Sequence, residues 1–329
     1  MKTAFITGIT GQDGAYLAQL LLSKNYHVFG LQRRSSNFLD SRWRLRTLGI
    51  EDRITYVEGD ITDAGSLAAA LRHTEPDEVY NLAAQSFVHA SWAAPNLAAQ
   101  TTGVGALNLF DTCRRETPNA RIYQAGSSEM FGKVPPGGCP QNETTPFHPR
   151  SPYGVAKCFA HHAAVNYRES YGMFIANGIL FNHESPLRGE EFVTRKVCRG
   201  AARIARGQQT ALELGNLEAR RDWGHAADYV EGMWLMLQQK EPQDFVLATG
   251  QTRSIHELCA EAFGYFGLDY TKYVVKNLDF YRPAEVDVLL GDPAKAEELL
   301  GWSRRYAFKA LIAEMVEAEY GRTFKESGA

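Results

Sequence analysis

The stretch TAFITGITGQDG at residues 3–14 decides the fold of this chain. TAFIT is an apolar run that predicts a buried strand, and the glycines at 8, 11 and 14 lead into GAYLAQLLLSK, an amphipathic helix pattern. Gly8 and Gly11 let the backbone approach a pyrophosphate at the helix start, while Gly14 allows close packing of helix on strand. The alternative is a glycine turn without a ligand. In this context the motif predicts a dinucleotide site.

The same rhythm continues along the first half of the chain. The further predicted strands are HVFGL, ITYVEG, EVYNLA, RIYQAG and FIANGIL, and PYGVAKCFAHHAAVNYRESYG predicts a long helix. This alternation predicts an α/β fold, a Rossmann-like doubly wound parallel sheet with a smaller mixed α/β lobe for substrate. The rhythm breaks beyond residue 182. We therefore expect residues 1–181 to bind the cofactor and carry the catalytic residues, and residues 182–329 to bind mainly substrate, with some chain returning to the first domain.

Composition excludes several classes of protein. The 329 residues are 44% hydrophobic and 22% charged, with a formal net charge of -3, which is typical of a globular protein without a nucleic-acid partner. No apolar stretch is long enough for a membrane span or a signal peptide, so we expect a cytoplasmic protein. The five cysteines lack CxxC spacing, which predicts neither a disulfide framework nor a metal site.

The end of the second predicted strand indicates the type of dinucleotide. An NAD-preferring site usually has an acid about 20 residues beyond the glycines. This chain has Gln32, Arg33, Arg34, Ser35 and Ser36 instead. Guanidiniums and hydroxyls suit a phosphate dianion, which a carboxylate would repel, so the predicted cofactor is NADP. The alternative for the two arginines is a solvated basic turn.

Two further segments follow predicted strands at the same edge of the sheet. Asp60, just after ITYVEG, is placed to meet the adenine. Leu82, Ala83 and Ala84, after EVYN, offer the small side chains that a cofactor needs near its ribose. Both segments are therefore predicted to contact the cofactor.

Tyr153 and Lys157 lie four residues apart on the long predicted helix, so they share one face. A free phenol titrates near ~10, but an adjacent ammonium and an oxidised nicotinamide favour the phenolate. Tyr153 can then accept a proton from an alcohol as hydride leaves. The alternative for the pair is a solvated helix face.

Ser127 and Glu129 follow RIYQAG, at the carboxyl edge of the sheet where ligands bind in such folds. The Ser127 hydroxyl can bind the substrate oxygen that is oxidised. Glu129 can remove a carbon-bound proton beside a ketone and so drive an elimination, which a simple dehydrogenase does not need. The alternative for Glu129 is an acid that only stabilises a helix start.

These motifs resemble the extended short-chain dehydrogenase/reductases, which share TGxxGxxG, NLAA and YxxxK. Within them the chain resembles the GDP-mannose 4,6-dehydratase group over residues 8–291, in GITGQDGAYLA, RRSS, YNLAAQSFV, SEMFG, PRSPYGVAK, GILFNHESP, FVTRK, RDWG and RPAEVDVLLG. The resemblance implies an NADP-dependent lyase that forms GDP-4-keto-6-deoxy-D-mannose from GDP-D-mannose. The reaction comprises oxidation at carbon 4, water elimination across carbons 5 and 6, and hydride return to carbon 6.

The motifs and the resemblance together give a set of site residues. The residues implied in catalysis are Ser127, Glu129, Tyr153 and Lys157. The residues predicted or implied to bind NADP are Gly8, Thr10, Gly11, Gln12, Asp13, Gly14, Arg33, Arg34, Ser35, Asp60, Ile61, Leu82, Ala83, Ala84, Ser86, Tyr153, Lys157, His183 and Arg188. Those implied to bind the GDP-sugar are Ser86, Ser127, Glu129, Asn182, Val193, Lys196, Gly215, Arg221, Arg282 and Glu285.

Other functions stay open on the sequence alone. A GDP-manno-heptose 4,6-dehydratase would share nearly every motif and differ around the sixth carbon of the sugar. A nucleotide-sugar epimerase or reductase would not need Glu129, and a cofactor-binding scaffold would need no catalytic set. The resemblance implies a homodimer or homotetramer. The chain departs from the group at Gly126, where serine is common, at Ser127, where threonine is usual, and in the 133–147 loop.

Overall fold

The computed structural model describes residues 1–34, 40–135, 137–281, 284, 286 and 288–327, with the backbone alone at residues 40 and 323–327. Its strands are β1 (Thr3–Thr7), β2 (His27–Gln32), β3 (Thr55–Glu58), β4 (Glu78–Asn81), β5 (Arg121–Ala125), β6 (Ile175–Leu180), β7 (Asn182–Glu184), β8 (Leu212–Leu214), β9 (Arg220–His225), β10 (Phe245–Leu247), β11 (Thr252–Ser254) and β12 (Val274–Lys276). Its α-helices are α1 (Gln12–Ser23), α2 (Trp43–Thr47), α3 (Ala64–Thr74), α4 (Val88–Ala93), α5 (Pro95–Ala98), α6 (Gly105–Glu116), α7 (Pro152–Tyr171), α8 (Val193–Ala205), α9 (Ala226–Leu237), α10 (Ile255–Gly264), α11 (Ala294–Leu300) and α12 (Phe308–Ser327). A π-helix spans Ala99–Val104, and a short 3-10 helix spans Ser128–Met130.

The main sheet confirms the predicted fold class. Seven strands pair in parallel in the order β10-β6-β5-β4-β1-β2-β3. All six predicted strands belong to it, and the one expected at residues 174–180 is β6. The seventh, β10, brings a late segment of the chain back beside β6. The order reverses at β1, so ligands are expected outside the carboxyl ends of the strands near β1 and β4.

Helices cover both faces of the main sheet, which explains why its strands are near-continuous apolar runs. Phe5 and Ile6 are adjacent on β1 and fully buried, but they belong to two separate apolar clusters on opposite faces. The helices α1 and α9 pack together on the face of Ile6, and α3, α6 and α7 pack on the face of Phe5. The glycine motif therefore joins β1 to a helix that is anchored in the core.

Two small sheets lie outside the main one. One has the order β11-β9-β7, and the other pairs β12 with β8. The helices α8, α10 and α12 pack against each other around a third apolar cluster that includes Trp223 of β9. These elements all come from residues beyond 181, where the regular alternation of strands and helices ends.

Membrane-spanning helices, metal sites and disulfide bonds would each indicate a particular class of protein. None of their helices is long and apolar enough to cross a membrane. Among them, no group of three or more His, Cys, Asp or Glu side chains could hold a metal ion. All five cysteines are free.

Candidate active site

One cleft of about 880 Å³ at the carboxyl edge of the main sheet gathers most of the predicted site residues. The predicted residues that line it are Gly8, Gly11, Gln12, Asp13, Gly14, Leu82, Ala84, Ser86, Ser127, Glu129, Tyr153, Lys157, Asn182, His183, Arg188, Val193, Lys196, Gly215 and Arg221. They come from the segments that follow β1, β4, β5 and β6, and from β7, α7, α8 and β9. Residues far apart in sequence are thus brought around one space.

Other predicted residues lie outside the lining of this cleft. Ser35, Arg282 and Glu285 are outside the described residues. Thr10, Arg33, Arg34, Asp60, Ile61 and Ala83 are described but do not line the cleft. The two arginines are exposed just after β2, and the Asp60 carboxylate after β3 accepts a hydrogen bond of 2.9 Å from the N–H of Thr62. Their predicted contacts with NADP stay predictions.

The glycine turn (residues 8–14) has the close approaches that its sequence predicts. Gly8 has a φ of +71°, and a Cβ there would lie 2.9 Å from the backbone carbon of Leu82. A Cβ on Gly14 would lie 2.4 Å from the carbonyl oxygen of Gly8. Gly11 precedes α1 and provides no side-chain cap, so the start of the helix is open toward the cleft. This arrangement fits a pyrophosphate, whose charge a helix N-terminus favours.

The start of α7 holds the two residues predicted for proton transfer. Ser151 caps the helix by accepting the N–H of Gly154 at 3.0 Å. The Ser127 hydroxyl lies close enough to the Tyr153 phenol to lower its pKa. The ammonium of Lys157 donates to the carbonyl oxygen of Ala125 at 2.7 Å and lies 5.7 Å from the centre of the Tyr153 ring. Both side chains therefore contact the segment that ends β5.

Glu129 lies beside this pair because its backbone packs directly on α7. A Cβ on Gly154 would lie 2.8 Å from the carbonyl oxygen of Glu129, so only glycine allows this approach. The N–H of Glu129 donates to the Ser127 hydroxyl at 3.2 Å. The Glu129 side chain is buried and lines the cleft. A hydroxyl, a phenol and a carboxylate thus line the same cleft.

Burial is the main cause of the pKa shift of Tyr153. Burial raises the pKa of Tyr153 to about 12, against the lowering effect of Ser127. Burial also lowers the pKa of Lys157 to about 8. The ammonium of Lys157 is held by the carbonyl oxygen of Ala125. The stabilisation of the phenolate by Lys157 and by the oxidised nicotinamide stays a prediction.

Asp13 and His183 form a part-buried ion pair between α1 and β7. One ring nitrogen of His183 lies 2.7 Å from the carbonyl oxygen of Phe181 and must donate to it, and the other lies 2.6 Å from Asp13. Burial lowers the pKa of His183, but Asp13 raises it by more, and His183 helps to hold the pKa of Asp13 at about 2. The pair is therefore an imidazolium and a carboxylate.

The structure adds two cationic residues, Arg199 and Arg203, beside the predicted Lys196. Lys196, Arg199 and Arg203 are spaced at i, i+3 and i+7 on α8, so they share one helix face, and all three line the cleft. The ammonium of Lys196 lies 3.9 Å from the centre of the Phe280 ring. The spacing of Arg199 and Arg203 from Lys196 along α8 is a sequence signal that could have identified both arginines.

Comparison with known proteins identifies the family. A sequence profile described as GDP-mannose 4,6 dehydratase matches residues 5–315. The chain belongs to this family. It is 52% identical over 330 residues to GDP-mannose 4,6 dehydratase 2 of Arabidopsis thaliana, covering 97% of this chain and 87% of that protein. It is 47% identical over 342 residues to the GDP-mannose 4,6 dehydratase of Homo sapiens, covering 97% and 91%.

A solved structure agrees with the fold. RMD from Pseudomonas aeruginosa, complexed with NADPH, superimposes with a TM-score of 0.80 at 22% sequence identity, and the match covers 98% of this chain and all of that one. At this level of identity the likeness concerns the fold alone. In open parallel sheets ligands bind outside the carboxyl ends of the strands, and the cleft described above lies at that edge.

Proposed function

We propose that this protein is an NADP-dependent lyase that converts GDP-D-mannose to GDP-4-keto-6-deoxy-D-mannose. The observation that carries the proposal is the buried carboxylate of Glu129, which lines one cleft with Ser127 and Tyr153. Family membership and the names of relatives at 52% and 47% identity support the same reaction. An epimerase or a reductase would have no use for the buried carboxylate.

The residues divide the work of the reaction. Tyr153 accepts the proton of the sugar 4-hydroxyl while Ser127 binds the same oxygen. The glycine turn would hold NADP, which would supply the hydride acceptor for carbon 4 and the hydride donor for carbon 6. Glu129 removes the proton on carbon 5, which the 4-ketone makes acidic, and the 6-hydroxyl leaves as water. A proton added to carbon 5 completes the product, and the net change is the loss of one water.

The remaining residues bind the two nucleotides. We assign the glycine turn, Lys157, His183 and Arg188 to NADP, with residues 1–181 as the cofactor domain. We assign Asn182, Val193, Lys196, Gly215 and Arg221 to the GDP-sugar, with residues 182–329 as the main substrate lobe. The buried side-chain oxygen of Asn182 has no hydrogen-bond partner within the described chain, which supports a ligand contact there. The cations of α8 suit a diphosphate.

Isotope labelling tests the reaction that we assign to the sugar of the substrate. We expect GDP-mannose with deuterium at carbon 4 to give a product with that deuterium at carbon 6, while label from solvent enters only at carbon 5. One nicotinamide that serves both redox steps without release requires this result. Mass spectrometry and NMR of the product measure it.

Two results would contradict the assignment. Deuterium lost to free cofactor would indicate an ordinary oxidoreductase. Turnover of GDP-manno-heptose far above that of GDP-mannose would favour the heptose enzyme. The 133–147 loop, whose composition departs from the family, gives no reason to prefer heptose, because its described residues, 133–135 and 137–147, do not line the cleft.

The choice of NADP over NAD is attributed to the residues after β2. Arg33 and Arg34 are exposed there, and no acid occupies positions 32–34. We expect Arg33→Ala to weaken NADP binding about tenfold, with little change for NAD, because a charge-assisted contact with the 2′-phosphate is lost. Titration calorimetry with both cofactors measures this. Arg53→Ala, at another exposed arginine, is the control, and an unchanged preference in Arg33→Ala would refute the assignment.

We also propose that the protein is a homodimer or homotetramer in the cytoplasm. An apolar face beside the start of α7 supports an assembly, because Val155, Phe159 and Leu97 are 57%, 47% and 52% exposed. Large apolar side chains clustered at a surface commonly mark a contact with another chain. The five free cysteines suit a reducing compartment. The mass of the protein in solution tests the assembly.

A further inference from the structure

The turn at residues 185–188 connects β7 to the segment before α8 and forms one wall of the cleft. Its last residue, Arg188, lines the cleft and pairs with Glu184 at 3.0 Å. Its first residue, Ser185, donates to the side chain of Gln12 in the glycine turn at 2.8 Å. The position of Arg188 toward a bound dinucleotide therefore depends on how this turn is held.

Three arginines bind the carbonyl oxygens of three consecutive residues of this turn. Arg322 of α12 donates to Pro186 at 2.7 Å. Arg44 of α2 donates to Leu187 at 2.7 Å. Arg195 of α8 donates to Arg188 at 2.7 Å. Helices from both halves of the chain thus converge on one short segment, and we call Arg44, Arg195 and Arg322 the arginine clamp.

Arg44 also reaches the opposite wall of the site. Its Nε binds Leu187, and its Nη1 donates to the carbonyl oxygen of Thr10 at 3.1 Å. One planar guanidinium therefore spans the glycine turn and the 185–188 turn. A lysine cannot reproduce this, because its charge is on a single nitrogen without the fixed fork of donors.

Two groups keep the three cations together. Glu319 of α12 is buried, accepts from Arg195 at 2.8 Å and also pairs with Arg322. The ring of Trp43 lies between the guanidiniums of Arg44, Arg195 and Arg322, whose central carbons are 4.5, 5.5 and 5.6 Å from its centre. Cation–π contacts and a shared carboxylate offset the repulsion between like charges.

We propose that the arginine clamp positions the dinucleotide site by fixing the 185–188 turn against the glycine turn. The clamp touches neither substrate nor cofactor in this role. It makes the C-terminal helix α12, through Glu319 and Arg322, a support of the cofactor site. The inference rests on the proposed function, since it concerns the site assigned to NADP.

The test compares Arg44→Lys with the wild type in the Kd values for NADP and GDP and in the unfolding temperature. Lysine keeps the positive charge, so a change in cofactor affinity reports geometry. We expect the Kd for NADP to rise about tenfold, the scale of one charge-assisted hydrogen bond, while the Kd for GDP stays unchanged. Glu319→Gln should weaken NADP binding in the same direction, because it removes the carboxylate charge that pairs with both Arg195 and Arg322.

Arg206→Lys is the matched control. Arg206 donates to the carbonyl oxygen of Tyr320 on α12 but lies away from the 185–188 turn. The inference is overturned if folded Arg44→Lys binds NADP as the wild type does, or if Arg206→Lys weakens NADP binding equally. It is also overturned if the Kd values for NADP and GDP rise together. A wild-type protein that binds no dinucleotide would refute the proposed function itself, and this control measurement separates the two failures.

Discussion

Glu129→Gln is expected to lower the rate of water loss from GDP-mannose on the order of 10³-fold, the range that a general base contributes. The amide keeps the size of the buried carboxylate but cannot accept the proton from carbon 5. The first oxidation does not need Glu129, so reduced cofactor should accumulate in the variant. Absorbance of the reduced nicotinamide and mass analysis of the sugar measure the two steps separately.

The split between the two steps distinguishes catalysis from a loss of fold. Glu169→Gln is the control, since Glu169 is exposed near the far end of α7 and should leave both steps unchanged. A Glu129→Gln variant that dehydrates at nearly the wild-type rate would remove Glu129 from the reaction. A variant that neither reduces cofactor nor loses water, while it still unfolds at the wild-type temperature, would assign Glu129 to the first step instead.

The sequence predicted the main sheet well because parallel strands covered on both faces leave a clear apolar signal. The six predicted strands and the long helix are within a few residues of β1 to β6 and α7. The seventh strand, β10, is only three residues long, so its apolar run is too short to be a clear signal. Its place beside β6 is decided by tertiary packing, which periodicity does not encode.

The candidate site was predictable where spacing along one element defines it. The glycine turn and the pair on α7 are local patterns, and the structure places both at the cleft. Contacts between distant segments had no such signal. Asp13 meets His183 across 170 positions, and Arg44 meets Leu187 across 143. These contacts depend on the fold as a whole.

Charge effects were the least predictable part of the site. The four-residue spacing of Tyr153 and Lys157 places both on one helix face, but it does not say what holds the ammonium. Burial is the main cause of the pKa shifts of both residues, and burial depends on how the whole fold packs around them. Tertiary packing also explains the glycine at position 126. A Cβ there would lie 2.7 Å from the carbonyl oxygen of Gly178.

Tyr153→Phe is expected to lower the overall rate on the order of 10³-fold and to abolish reduction of the cofactor, because no group then accepts the proton of the 4-hydroxyl. The ring stays buried beside Ser127, so the affinity for GDP and the unfolding temperature should change little. Stopped-flow absorbance with GDP-mannose and enzyme loaded with NADP measures the first step.

Tyr123→Phe is the matched control for the loss of a buried phenol. The Tyr123 hydroxyl is buried on β5 and has no hydrogen-bond partner among the described residues, so its removal should preserve turnover.

Burial raises the pKa of Tyr153 to about 12, which keeps the phenol protonated at neutral pH in the protein alone. The phenolate must therefore form when the positively charged cofactor is in place, and the first step should need loaded enzyme. If Tyr153→Phe still reduces cofactor at more than about a tenth of the wild-type rate, a margin well inside the contribution of a general base, another group takes the proton.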